Sequence, residues 1–208
     1  MLHAVKRAWW RNRLKDPAYA FLFDPPPADE WVSIDCETTG LDRERDHIIK
    51  VGAVHIHGQR VMTSQRLEVL VKPSDANRSP MSADSVRVHQ LREADLAELG
   101  QDPLDVARQV LQFIGSRPLV GYYLEFDIAM LNRLVRPLIG IPLPNEQIEV
   151  SGLYYDHKYK QNPNSHIDLR LATLMNDLAL PERAAHNPIN DATMAALAFI
   201  KLQALAGR

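Results

Sequence analysis

A single cysteine, Cys36, stands in the 208 residues. It has no disulfide partner, so a disulfide framework and a Cys-rich zinc site are both excluded, and a reducing compartment fits. Long apolar runs are absent too. None approaches the roughly 18 residues of a membrane span. Lys6, Arg7, Arg11, Arg13 and Lys15 interrupt the N-terminus where a secretory signal needs an apolar stretch. The expected location is cytoplasmic, with no stable membrane insertion. An excess of one charge is also lacking: 24 Lys and Arg face 26 Asp and Glu, a formal net charge of −2. A protein that coats nucleic acid by electrostatics alone would be more basic. This balance leaves room for an enzyme that reaches phosphate through cations held by its carboxylates.

The composition is that of an ordinary soluble fold, 46% hydrophobic and 24% charged. A chain of this length buries about 70% of its unfolded surface and needs no structural staple. One break divides it. Residues 1–30 form a basic, aromatic extension with Trp9, Trp10, Tyr19, Phe21 and Phe23, closed by the stiff run Pro25-Pro26-Pro27. Residues 31–208 read as the main domain. Residues 3–15 have helical composition, and Val5 and Trp9 share a face. Such a helix has three uses: docking on the chain's own domain or a second copy, recruiting a partner or nucleic acid, or touching a membrane.

The main domain alternates in an α/β manner. Trp31–Cys36, Ile48–His57 and Leu67–Val71 read as strands joined by short turns that suit antiparallel pairing. Asp102-Pro103 starts a helix with an apolar stripe of Leu104, Ala107, Val110, Leu111 and Ile114, stopped at Gly115. Pro118–Gly121 is a short buried strand, 125–136 a helix, and Gln147–Val150 a fifth strand. Helices follow over 168–178 and 190–206, the last with Asn190 as its N-cap. A mixed central sheet flanked by helices is the expected class.

Asp35 and Glu37 lie two apart at a strand end, so they point to one face. Two carboxylates so placed need a cation or a raised pKa. Cys36 points to the other face and reads as core. An isolated Asp-x-Glu is most often a strand end with solvated acids. The longer string Ile34-Asp35-Cys36-Glu37-Thr38-Thr39-Gly40-Leu41 is far more specific.

That string resembles the first motif of the DnaQ-like 3′–5′ exonucleases, the family of the epsilon proofreading subunit of bacterial DNA polymerase III. Further segments resemble the family in order. They are Val51–Val54, Val88-His89-Gln90-Leu91, Val120–Asp127 with Asp127 as third acid, and His186–Ala192 with His186 and Asp191. The histidine five before the last acid places the chain in the His-bearing branch. The chain departs from relatives at Tyr122-Tyr123, where they usually carry His-Asn near the substrate.

The resemblance implies an RNase H-like fold, a five-stranded mixed sheet flanked by helices. It implies a metal-dependent 3′–5′ exonuclease that releases nucleoside monophosphates from single-stranded or frayed DNA ends. Trimming of short RNA is the alternative, and a non-catalytic adaptor the weaker one, since all four acids and the histidine remain. Asp35, Glu37, Asp127 and Asp191 would form an oxygen-only site suited to two Mg²⁺ or Mn²⁺ ions. Asp35 would bridge both ions, Glu37 and Asp191 would complete the water-activating one, and Asp127 would hold the second. His186 would take the proton from the attacking water, which suits an imidazole of reference pKa about 6.5. Thr38, Gly40, Leu41 and Phe126 would contact the substrate. Leu41 reads as a wedge beside the terminal base or as core, and Phe126 as core or as a stacking surface.

Other readings are weaker. Glu125 is expected to be solvated on a first helical turn. His55 and His57 alternate on a strand without a third ligand and read as a wet face. His89 could lie near the substrate strand. Residues 154–160 mix tyrosine, histidine and lysine and read equally as a surface loop or as a single-strand-binding stretch. A polymerase or repair partner is conceivable. The chain has no long tail after its last helix, which favours a stand-alone or differently recruited enzyme.

Overall fold

The structure, a computed structural model, describes residues 2–72, 93–184 and 186–207. The segment Val88–Leu91, with His89, lies outside the described residues. Five strands form one mixed sheet: β1 (Glu30–Thr38), β2 (Ile48–His57), β3 (Arg60–Leu70), β4 (Leu119–Gly121) and β5 (Gln147–Glu149). Their order is β3-β2-β1-β4-β5. The first three pair antiparallel, while β4 runs parallel to β1 and β5 parallel to β4. The expected five-stranded mixed sheet is therefore present. β3 starts seven residues earlier than its apolar run suggested. Its register against β2 shifts between Val54 and His55, so Thr63–Gln65 have no register partner there and this polar run stays exposed at the sheet edge.

Helices cover both faces. The described elements are α1 (Leu2–Arg11), a 3₁₀ segment (Pro17–Phe23), α2 (Glu93–Leu99), α3 (Pro103–Ile114), α4 (Leu124–Ile139), α5 (Val150–Gln161), α6 (Leu171–Asp177) and α7 (Pro188–Leu205). Val32, Ile34 and Cys36 project from β1 into a core shared with α3 and α4, so Cys36 is a core residue as expected. Val54, Ile56 and Val120 project to the opposite face, where Ala192, Ala195, Ala196 and Phe199 of α7 cover them. The small residues let α7 lie close to the sheet. Gly52 sets the closest approach: a Cβ there would sit 2.3 Å from Pro188 C and from Ile189 N. Gly52 is also the register partner of Asp35. The start of α7 is thus seated beside Asp35.

Several boundaries differ from the expectation. The N-cap of α7 is Asn187, whose side chain accepts from Ile189 N, not Asn190. Pro188 at the first helical position has a preset φ and no orphan N–H, which moves the start two residues earlier. Asn190 instead donates to Ala184 O at 3.1 Å. In α3 the stripe is shifted, with Leu104 exposed and Val106 buried. Residues 154–160 are neither a loop nor wholly exposed. They lie in α5, with Tyr154 buried and its hydroxyl bonded to Asp177. α4 runs on to Ile139 because Pro137 falls in its last turns, with Gly140 at φ 71° closing it.

The N-terminal helix ends at Arg11, and the chain folds back on the main body. Lys15 N donates to Ile139 O at 2.9 Å. The Arg7 guanidinium donates to the carbonyls of Pro144 and Leu22. Tyr19, Leu22 and Phe23 are buried within the α3–α4 core. The extension docks on its own chain in this structure. Leu22 is fully buried, so Leu22→Ala is expected to cost about 2–5 kcal/mol. Urea denaturation of the two proteins measures this; a loss below 1 kcal/mol would mean that the segment is not part of the core.

Candidate active site

The sheet sets the carboxyl-terminal ends of the parallel neighbours β1 and β4 side by side, with β1 continuing into the antiparallel β2 and β4 into α4. In open α/β sheets ligands bind outside the carboxyl ends of the strands. Asp35 and Glu37 stand at the end of β1 on the face toward α7. Asp191 reaches them from the first turn of α7. One carboxylate oxygen from each of the three lies within 4.8 Å of the others, with Glu37 buried and the other two partly open.

Asp127 comes from the first turns of α4 and is buried. Its Oδ1 accepts the Cys36 N–H at 3.1 Å, which ties α4 to the middle of the Asp35-Cys36-Glu37 run. It is not one of the three acids gathered within 4.8 Å. The expected four-carboxylate set is therefore a tight trio with a fourth acid hydrogen-bonded beside it.

The electrostatics reflect the crowding. Burial pushes the Asp35 carboxyl well above the ordinary carboxylate range, and the charges of Asp127, Asp191 and Glu37 push it further. Burial likewise raises Asp127, opposing the Cys36 hydrogen bond. The Cys36 thiol is raised by burial and by the acids around it, so no reactive thiolate is expected. Three anionic oxygens this close favour a proton or a cation between them. The donor set is all oxygen and fits a hard divalent ion.

His186 stands before α7 with φ 63°, an unusual backbone for a residue with a side chain. Its N–H donates to Asp191 Oδ2 at 3.1 Å. The histidine and the last acid are thus joined locally, and the side chain of His186 is exposed.

The loop after β1 is tightly built. Thr38 donates to Gly40 O at 2.6 Å, and Thr39 donates to Asp46 Oδ1 at 2.8 Å. A Cβ on Gly40 would lie 2.5 Å from Asp46 Oδ2, which already accepts from Asp42 N. Leu41 emerges from this loop 85% exposed, so it is not a core residue. Phe126 is half-buried against the core, with one side under the Arg43 guanidinium at 6.0 Å. Glu125 is exposed, as expected, and pairs with Arg43 at 2.8 Å.

One expectation changes. His55 and His57 do not form a wet face: both are half-buried, with His55 Nε2 against Phe113 O at 3.1 Å and His57 3.7 Å from Glu30. Burial lowers the His55 pKa. Tyr122 and Tyr123 diverge. Tyr122 donates to Leu169 O at 2.8 Å, while Tyr123 is 65% exposed at φ 53°.

Sequence reasoning missed Glu149. Tyr123 offers no side-chain cap to α4, and Glu149 at the end of β5 supplies one. Its carboxylate accepts from Tyr123 N at 3.1 Å and Leu124 N at 2.8 Å, and also from the backbone and hydroxyl of Ser151. One side chain so caps α4 and α5 at once, and it holds the helix that carries Asp127. Its capping is local only across β4–β5 pairing, which one-dimensional spacing does not display.

The exonuclease family described by the RNase_T profile matches residues 32–199. The chain belongs to this exonuclease family. Among relatives, the DNA polymerase III epsilon subunit of Aquifex aeolicus is 25% identical over 177 residues, covering 83% of this chain and 79% of that protein. A PolC-type DNA polymerase III of Thermotoga maritima is 25% identical over 175 residues, 82% of this chain. This chain spans only 12% of that relative's length. The oligoribonuclease of Streptomyces griseus is 31% identical over 121 residues, covering 54% of this chain and 60% of that protein. In structure, a zinc-bound complex of E. coli exonuclease I with single-stranded DNA superimposes with a TM-score of 0.72 at 14% identity. The match covers 88% of this chain and 42% of that one. At such low identity it shows the shared RNase H-like fold. The DnaQ-like resemblance of the motifs and the expected fold class are both borne out.

Two outcomes are expected. Asp35 has a folded-state pKa above its unfolded value of about 3.9, so its contribution to stability is full below that pH and is lost as pH rises through the folded value. In chelator, Asp35→Asn should therefore gain in melting temperature on the wild type as pH is raised from 4 to 8, and Mg²⁺ should narrow the gap. A difference independent of pH would contradict the raised carboxyl. Glu149→Ala leaves two N–H groups of α4 without their acceptor and should cost about 1–3 kcal/mol in a urea titration. A loss no larger than that of an exposed surface glutamate would contradict the capping role.

Proposed function

We propose that this member of the exonuclease family is a 3′–5′ exonuclease of the His-bearing type. It would hydrolyse the terminal phosphodiester of single-stranded or frayed DNA and release nucleoside monophosphates. The observation that carries the reading is the trio Asp35, Glu37 and Asp191, drawn together from β1 and α7 with His186 bonded to the last of them. A trio of mutually repelling acids is costly unless it is used, and an exonuclease-family chain uses it at phosphate.

Asp35, Glu37 and Asp191 would hold one divalent ion, with Asp35 and Asp127 facing a second; Mg²⁺ and Mn²⁺ suit these oxygens. Bound there, the ions supply positive charge that stabilises the phosphoryl group in the transition state. The protein does the rest. His186 accepts the proton of the attacking water, and its exposed position leaves it able to pass that proton to solvent. The backbone bond from His186 to Asp191 fixes where that base stands relative to the acids. Leu41, raised on the Asp46-braced loop, wedges beside the terminal base, with Thr38 and Gly40 lining the same nucleotide. Phe126 presents an apolar edge next to it. Asp127 is kept in place by the Cys36 N–H below and, through the start of α4, by Glu149.

A second reading has its own support: the oligoribonuclease relative is the one above 30% identity among those named, and its name points to short RNA. The DNA reading draws on the epsilon subunit, which matches over more of both chains. A polymerase partner is proposed on the same ground. Among the described residues no helix is long and apolar enough to cross a membrane, and a cytoplasmic location is proposed from the cysteine usage.

Digestion of end-labelled single-stranded DNA, mismatched duplex and short RNA, with Mg²⁺ or Mn²⁺ and with chelator, tests the substrate and the direction. Asp35→Ala and Asp191→Asn should each lower turnover at least ~10³-fold with the fold intact. His186→Gln should lower the rate while metal binding stays similar. Near wild-type turnover in either acid variant would overturn the assignment of the site.

A further inference from the structure

Arg43 is the feature of the site that the family-level reading leaves unused. It sits two residues beyond Leu41, on the loop between β1 and β2. The backbone of that loop is fixed from several sides. Arg133 of α4 donates to the carbonyls of Arg43 at 2.6 Å and Asp46 at 2.7 Å. Asp46 accepts from Asp42 N and from the Thr39 hydroxyl. The Asp42 carboxylate accepts from the N–H groups of Glu44 and Arg45. Backbone motion at Arg43 is thereby restrained, and its side chain is the part left to move.

The guanidinium spans from this loop to the start of α4. It lies 2.8 Å from Glu125 Oε1 and 6.0 Å from the centre of the Phe126 ring. It thus joins the two segments that carry the acids, the one leading from Asp35 and Glu37 and the one leading to Asp127. Of the neighbouring cations, Arg133 is spent on carbonyls, while Arg45 is 85% exposed and lies 3.9 Å from Asp42. The Arg43 and Glu125 side chains are 48% and 83% exposed. An ion pair so open to water is worth little and exchanges readily. A phosphate diester offers the guanidinium two oxygens in the planar fork that it matches best.

We propose that Arg43 binds a backbone phosphate of the substrate strand next to the nucleotide wedged by Leu41, and that Glu125 holds Arg43 in place until a strand displaces it. The proposal rests on the exonuclease reading above. In it Glu125 competes with the phosphate for the same guanidinium, so the two residues act on affinity in opposite directions. Phe126 supports the guanidinium from beneath through its ring face. The pair then works as a threshold: an anion too weakly held by the rest of the site does not displace Glu125.

The test is steady-state hydrolysis of a short single-stranded oligonucleotide by the full chain with Mn²⁺, over a range of salt. Arg43→Ala should raise KM about tenfold with kcat changed less than threefold, because a charge-assisted contact made equally in ground and transition states is lost. The slope of log KM against log salt should fall by about 0.7, the value for one phosphate contact on a single strand. Arg43→Lys should restore the salt slope but only part of the KM. Glu125→Gln should lower KM. Melting temperatures within a few degrees of wild type verify that the variants are folded. An unchanged KM and salt slope in Arg43→Ala would overturn the proposal. So would a raised KM in Glu125→Gln, which would make the pair a strap for the loop. If the wild type degrades none of the strands with either metal, the exonuclease reading itself fails, a result distinct from both.

Discussion

Three carboxylates of like charge crowded at the end of one strand set the terms for the rest of this molecule. In water such groups would drift apart. Here Asp35 and Glu37 are fixed by the pleat of β1, with only the rise of two residues between them, and Asp191 is brought in by an entire helix. The repulsion is overcome by packing elsewhere: the alanine-rich face of α7 lies on Val54, Ile56 and Val120, and Phe199 meets the Trp31 ring at 5.2 Å. Hydrophobic contact along the helix thus supplies the force that holds an unfavourable charge arrangement at its tip. Gly52 makes this geometry possible, since any side chain there would strike the backbone of Pro188 and Ile189.

Much of this was legible in one dimension, and for a physical reason. The alternation of Asp35, Cys36 and Glu37 along a strand states which side chains share a face, without reference to anything distant. The proline at 103 and the glycine at 115 bracket α3 as read, because both act on the backbone locally. The departures come where a distant partner decides. Asn187 displaced Asn190 as the cap of α7 once Pro188 took the first helical position. β3 extended through polar residues because a register shift against β2 between Val54 and His55 carries Thr63–Gln65 past without cross-strand register partners. Residues 154–160 became helical because Tyr154 found a buried place against α7 and α6. Their mixed composition carries no helical period, so nothing local announced it.

The candidate site divides in the same way. Its acids and histidine were readable as a string of motifs. The groups that hold them were not. Glu149, Arg133 and Asp46 act across 26, 87 and 7 residues of sequence respectively. Each braces a backbone segment, at the start of α4 or in the loop bearing Leu41, rather than bonding the gathered acids directly. Tyr123 shows the result. It occupies a left-handed conformation that costs a residue with a Cβ about 1 kcal/mol, and the double acceptor on Glu149 holds it there.

The seating of α7 beside Asp35 also orders events in time. Ribosomal synthesis delivers β1 early and residues 188–205 more than 150 residues later, about ten seconds or more at usual elongation rates. Until that last helix has emerged and closed over Gly52, Asp35 and Glu37 have no third acid, and a divalent ion has no trio to bind. An unfinished chain therefore lacks the assembled trio. The cluster is completed only when that helix packs, and any ion that binds the trio pulls the folding equilibrium toward the packed state.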